Sequence, residues 1–151
     1  MNYPRFPIFI SLAGENVLVI GAGSIASRRV NILLEFGAAV TIVAPGISEV
    51  MRGILESITW KKETYSGISL DYTLIVAATN DRQVNNQIGI DAKKLGIPVS
   101  VADAKDESTF WFPAIAKSSG IIVGIVSEMG NHKAVKKIAA AVRETISEEG
   151  M

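Results

Sequence analysis

Four consecutive aliphatic residues, Val17-Leu18-Val19-Ile20, run directly into Gly21-Ala22-Gly23-Ser24-Ile25-Ala26. A strand apolar on both faces is stable only when both faces are covered, which places it inside a parallel sheet flanked by helices. The stretch that follows sets Ala26, Val30, Leu33 and Leu34 on one helical face before Gly37 stops it. The opening unit is therefore strand, tight turn, helix, and its turn carries G-x-G-x-x-A. Each small residue has a steric task there. Gly21 permits the turn, Gly23 lets main chain approach a pyrophosphate, and Ala26 allows helix and sheet to pack closely. The helix start offers N–H groups to phosphate oxygens, so Gly21, Ala22, Gly23, Ser24 and Ile25 are the first candidate cofactor contacts.

The same alternation continues. Ala39 to Val43 is a second apolar strand, followed by a weaker helical pattern from Ile47 to Leu55. Ile58 to Lys62 predicts a short, half-exposed strand and Thr73 to Ala78 a fully buried one. Asn80 or Asp81 can cap a helix with Val84, Ile88, Ala92 and Leu95 on one face and Gly96 at its end, before a strand at Val99 to Ala102. This spacing predicts an α/β fold with a doubly wound parallel sheet. The pattern changes after Asp103: Phe110 to Ile115 and Ile121 to Val126 predict a β-hairpin turning at Lys117 to Gly120. A last helix follows, with Val135, Ile138, Ala139, Val142 and Ile146 on one face and Lys133, Lys136, Lys137, Arg143 and Glu144 on a solvated one.

Composition narrows the chemistry. The 151 residues include 15 basic and 15 acidic side chains, so no global charge points to nucleic acid or an anionic membrane. The absence of cysteine excludes disulfides, thiolate metal sites and a cysteine nucleophile. Phe6 to Ala13 after Arg5 has the look of a signal peptide start, but the apolar pattern runs on into the first strand. No apolar run approaches the roughly 18 residues of a membrane span. The expectation is a soluble, cytoplasmic protein without a metal centre, since His132 is the one histidine and a helix start explains it.

The second strand ends in Val43-Ala44-Pro45, where this fingerprint usually holds an acidic residue for the ribose; Ala44 and Pro45 remain candidate cofactor contacts. No arginine stands there to meet a 2'-phosphate, which favours NAD over NADP. Thr79 and Asn80, past the buried strand at Thr73 to Ala78, are placed either to touch the nucleotide or to cap the next helix.

These residues also resemble a known family. Pro7-Ile8-Phe9, Leu12 and Gly14, the glycine turn, Val43-Ala44-Pro45, Ala77-Ala78-Thr79-Asn80-Asp81 with Val84-Asn85, Ile97-Pro98-Val99 leading to Val101-Ala102-Asp103, and Phe110-Trp111-Phe112-Pro113-Ala114 together are similar to the siroheme synthase amino-terminal module. The resemblance covers nearly the whole chain. It implies a Rossmann domain, taken as residues 1–106, followed by a hairpin and helix dimerisation region at 107–151. It implies NAD-dependent oxidation of the tetrapyrrole precorrin-2 to sirohydrochlorin, with insertion of ferrous iron in the bifunctional members, and a homodimer. Asp103 aligns with the family's catalytic aspartate, and its place beyond a strand's carboxyl end suits a general base.

Some positions depart from the family pattern. Ser127-Glu128-Met129-Gly130-Asn131-His132-Lys133 stands where relatives carry Ser-Ser/Thr-Gly-Gly-x-Ser-Pro; Ser127 and Gly130 are retained, and Asn131 can take over the helix cap. The family's further helical domain has no counterpart in these residues, which leaves a naturally short form, a chain trimmed from a longer one, or walls supplied by the dimer. A substrate rich in carboxylates needs cations, and Arg28 and Arg29 near the start of the first helix are candidates with Ser127, ahead of Lys105, Lys117 and Lys133. The alternative to an enzyme is a non-catalytic NAD(H)-binding regulatory module, because fold does not fix function.

Overall fold

The strands form where the sequence is apolar over successive positions. In the computed structural model, which describes residues 3–149, β1 (Asn16–Ile20), β2 (Ala39–Val43), β3 (Ile58–Lys61), β4 (Leu74–Ala77) and β5 (Val99–Val101) form one parallel sheet in the order β3-β2-β1-β4-β5. Residues 17–20 of β1 and all of β4 are buried, whereas β3 alternates between half-buried and exposed, as its edge position requires. The chain steps outward from β1 to β3, then returns to β4 on the other side of β1. Right-handed crossovers in opposite directions put α1 (Ser24–Glu35) and α3 (Arg82–Lys94) on opposite faces of the sheet. Leu18, Ile20, Ile75, Ala77, Val99 and Val101 pack with Ile88 and Ala92 of α3 into one core.

Two compact units divide the chain: Ile10–Phe110, which holds the sheet, and Met1–Phe9 with Trp111–Met151. In the second, β6 (Ala114–Ser118) and β7 (Ile121–Ile125) pair antiparallel, with Ser118 opposite Ile121. The two-residue turn has positive φ at both Ser119 (52°) and Gly120 (79°), the mirror-image geometry that suits a twisted hairpin. Helix α4 (His132–Glu149) is capped by Asn131, whose Oδ1 accepts from the Ala134 N–H at 3.0 Å.

Several elements differ from expectation. The first hairpin strand begins at Ala114 rather than Phe110. Upstream, the Thr109 N–H bonds to the Val99 carbonyl at 2.8 Å, and Thr109 Oγ1 accepts from the Val99 N–H at 2.8 Å, so this stretch dresses the open edge of β5 instead. The helix expected over Ile47 to Leu55 is reduced to α2 (Glu49–Arg52), a single turn capped by Ser48, and a 3-10 turn at Leu55–Ser57. Leu95 and Ile138 are exposed, at 37% and 50%. Arg143 is more than a solvated charge, since its guanidinium donates to the Ile115 carbonyl of β6 at 2.9 Å.

Candidate functional site

Strand register decides where the sequence candidates meet. Ile20 lies opposite Val43 on one side and Ala77 on the other, and Ala77 lies opposite Val101. The strands therefore end in one row. Gly21 to Ile25, Ala44 and Pro45, Thr79 and Asn80, and Asp103 all leave the same carboxyl edge, with the change of winding direction between β1 and β4. In open parallel sheets this crevice is where ligands bind. Main-chain bonds carry the row one residue further: Gly21 N–H to Val43 O at 2.9 Å, Ala78 N–H to Ile20 O at 2.8 Å, and Ala102 N–H to Ala77 O at 2.9 Å.

The glycines of the turn do different things. Gly21 has φ +110°, and a Cβ there would sit 2.1 Å from the Ala78 carbonyl oxygen, so the fold itself demands glycine. Gly23 has an ordinary φ of −83°, and a Cβ there would meet nothing within 4 Å. Its bareness serves no contact within the chain; it keeps open the space in front of the helix start. Gly23 is the N-cap of α1, no side chain caps that end, and its first turn holds no acidic residue. Unclaimed N–H groups and a positive helix end beside a cleared space fit a dinucleotide's diphosphate. Ser24 and Ile25 are exposed there, and the Ala22 carbonyl accepts from the Ser48 N–H at 3.3 Å, tying the loop to the start of α2.

Ala44 is buried; its carbonyl accepts from the Trp60 indole at 3.0 Å, while Pro45 stands exposed next to it. Thr79 and Asn80 lie in the β4–α3 connection. The cap of α3 is Asp81, whose carboxylate accepts from the N–H groups of Gln83 at 2.9 Å and Val84 at 3.2 Å. Thr79 Oγ1 donates to Asn85 Oδ1 at 2.7 Å and accepts from the Asp81 N–H at 3.1 Å, so its hydroxyl is part of the local scaffold.

Asp103 is held at both oxygens. Arg82 Nη1 donates to Oδ1 at 2.5 Å and Asn85 Nδ2 to Oδ2 at 3.1 Å. Arg82 also bonds to Glu107 through Nη2. That contact raises the proton affinity of Arg82 and holds the Glu107 carboxyl below the usual carboxylate range, with help from the Asn86 side chain. The Asp103 and Arg82 side chains are 40% and 44% exposed, so the carboxylate can meet a ligand. Its loop is fixed from below by Ser108, whose buried hydroxyl accepts from the Val101 N–H at 2.8 Å. Arg82, Asn85 and Glu107 were not singled out as site residues. The available signal was Asn85, a polar side chain on the apolar stripe that also carries Ile88 and Ala92.

The remaining candidates have local surroundings of their own. Arg28 is exposed on α1 and Arg29 half-buried; burial, and then Arg28, lower the proton affinity of Arg29. Ser127 belongs to the other unit, where its Oγ accepts from the Asn131 N–H at 2.9 Å and shapes the loop before α4. In that unit the Arg5 N–H bonds to Glu128 at 2.7 Å and the Arg5 guanidinium lies 4.1 Å from the Trp111 ring centroid. Among the described residues, no group of three or more His, Cys, Asp or Glu side chains is placed to hold a metal ion, and no helix is long and apolar enough to cross a membrane.

Known proteins share these features. Residues 8–114 match the family model described as "Putative NAD(P)-binding". The "Probable multifunctional siroheme biosynthesis protein HemA" of Ruminiclostridium josui is 43% identical over 146 residues, 94% of this chain and 28% of that protein. A "Siroheme synthase" of Nitrosomonas eutropha is 36% identical over 150 residues, 97% of this chain and 31% of that one. The chain thus spans under a third of the length of these relatives. Among solved structures, "SirC, precorrin-2 dehydrogenase" superposes with a TM-score of 0.76 at 25% identity, covering 97% of this chain and 74% of that one. With its glycine cradle, sheet order and nearly full-length similarity in agreement, the chain belongs to the "Putative NAD(P)-binding" family, as the amino-terminal module found in siroheme synthases.

Proposed function

We propose that this protein uses NAD to dehydrogenate precorrin-2 to sirohydrochlorin in the cytoplasm. The observation that carries the reading is the shared carboxyl edge: a cleared helix start suited to diphosphate and an accessible, doubly held carboxylate, Asp103, emerge from one row of strand ends. Gly21, Ala22, Gly23, Ser24 and Ile25 hold the diphosphate through main chain, with Ala44, Pro45, Thr79 and Asn80 bordering the nucleoside and nicotinamide. A bound nicotinamide supplies the hydride acceptor. Dehydrogenation removes a hydride and a proton from the macrocycle, and Asp103 takes the proton or orients the carbon that loses it. Arg82, kept protonated by Glu107 and Asp103, keeps a cation beside the carboxylate. Arg28, Arg29 and Ser127 are proposed contacts for the substrate's carboxylates.

A homodimer is part of the reading. Phe6, Ile8 and Phe9 are 87%, 73% and 73% exposed, and Met129 is 93% exposed, all in the unit that contains the hairpin and α4. Apolar surface of this kind suits a partner copy. Ferrous iron is the second substrate proposed for the chelation step.

The deciding experiment supplies precorrin-2 and NAD and follows NADH formation together with sirohydrochlorin absorbance. Wild type turns over, and Asp103→Ala lowers the rate by about 100-fold or more with NAD affinity within a few fold. Unchanged turnover in that variant removes Asp103 from the reaction. NAD binding by wild type with no turnover at all favours the regulatory module.

A further inference from the structure

Asn85 is fully buried on α3, yet every polar atom of its side chain is engaged. Oδ1 accepts from the Thr79 N–H at 3.0 Å and from its hydroxyl at 2.7 Å. Nδ2 donates to the Thr79 carbonyl at 3.1 Å and to Asp103 Oδ2 at 3.1 Å. A primary amide has two donor hydrogens and two acceptor lone pairs, and all four are used here. The carbonyl end of this amide grips the loop after β4, and the amino end joins that loop to the carboxylate after β5.

We infer that Asn85 is a positioning residue that fixes Asp103 relative to the nucleotide-bordering loop, an inference that rests on Asp103 being the reacting carboxylate. The two grips on Asp103 differ in kind. Arg82 is 44% exposed, so its contact can be exchanged for a substrate carboxylate. The Asn85 contact comes from a fully buried amide, whose donor has no water to turn to if the bond is lost. It also demands an acceptor at Oδ2, which keeps the carboxylate from rotating freely when Arg82 lets go. Asn85 shares the buried side of α3 with Ile88 and Ala92, and burial of that stripe alone calls for an apolar side chain rather than an amide.

Asn85→Asp tests this with little change in shape. Its Oδ1 still accepts from Thr79, while the other oxygen now faces the Asp103 carboxylate and the Thr79 carbonyl without a proton to offer. The expected result is a turnover number lower by about 10- to 100-fold, with the Michaelis constant for NAD and NADH affinity by fluorescence within about threefold of wild type. Adding Asp103→Asn supplies an amide opposite the new carboxylate. The double variant should recover melting temperature relative to Asn85→Asp, while turnover stays lost. Asn85→Ser, too short to reach Asp103, covers the case in which the acidic variant does not fold, and the same fall in turnover is expected. Wild-type turnover in either single variant, with Asp103→Ala inactive, overturns the inference and leaves the proposed reaction standing; an active Asp103→Ala overturns that reaction instead. A rise in the Michaelis constant for NAD at unchanged turnover number, or no thermal recovery in the double variant, also overturns the inference.

Discussion

Gly21 and Ala78 lie against each other at the point where the sheet changes winding direction, and a single Cβ on the glycine would lie 2.1 Å from the Ala78 carbonyl oxygen and 2.5 Å from its carbon. Backbone cannot move aside as a flexible side chain does. The adjacent strands β1 and β4 thus hold the loops that follow them in direct main-chain contact.

Gly21→Ala is accordingly a stability variant. It forces a left-handed backbone and a collision with main chain, and should lower unfolding free energy by about 2–4 kcal/mol. Urea titration of both proteins checks this; a midpoint equal to wild type would mean the turn can relax without cost.

Gly23→Val should behave in the opposite way. Its φ of −83° suits any residue and its surroundings are open, so only the poorer N-cap of an aliphatic residue counts and stability should fall by no more than about 1 kcal/mol. NAD affinity should fall by at least about tenfold, because the added methyls occupy the space left for the diphosphate. Calorimetric titration giving the wild-type dissociation constant would show that the nucleotide lies elsewhere.

The Arg82–Glu107 pair predicts a dependence on pH. Its folded carboxyl lies below the usual range, so the ion pair's contribution is present above the unfolded value, about pH 4.3, and is lost as pH falls through the lower folded value. Glu107→Gln should be less stable than wild type at pH 7, and the gap should close as pH drops below about 4. Both side chains are partly exposed, so the gap is modest and shrinks in high salt. A gap that persists unchanged at pH 3 would assign the loss to something other than charge.

Much of this molecule was legible because a parallel sheet writes itself in continuous apolar runs. Ala39 to Val43 has the bounds the sequence indicates, and the glycine turn falls where strand gives way to helix. Phe110 to Pro113 was misread as strand because aromatic residues favour strands generally. Thr109 and Phe110 instead direct their N–H groups to the Val99 carbonyl at the edge of β5, and proline at 113 has no N–H for a ladder. The site was legible only where motifs are local. Arg82 and Glu107 stand 25 residues apart, and no periodicity links a helix start to a 3-10 turn. Asn85 was visible as a misfit on an apolar stripe, but only the fold shows that Asp103 is what its amide reaches.

The cradle's bonding has a kinetic consequence. Gly21 is tied to Val43, Ala22 to Ser48, and Gly21 is pressed against Ala78, so the loop has no slack to take up when a guest arrives. Its ordering cost is met during folding, and docking proceeds onto a finished surface. Binding of NADH at the proposed site is therefore predicted to be a single fast phase in stopped-flow fluorescence, and a slow second phase would show that the loop rearranges.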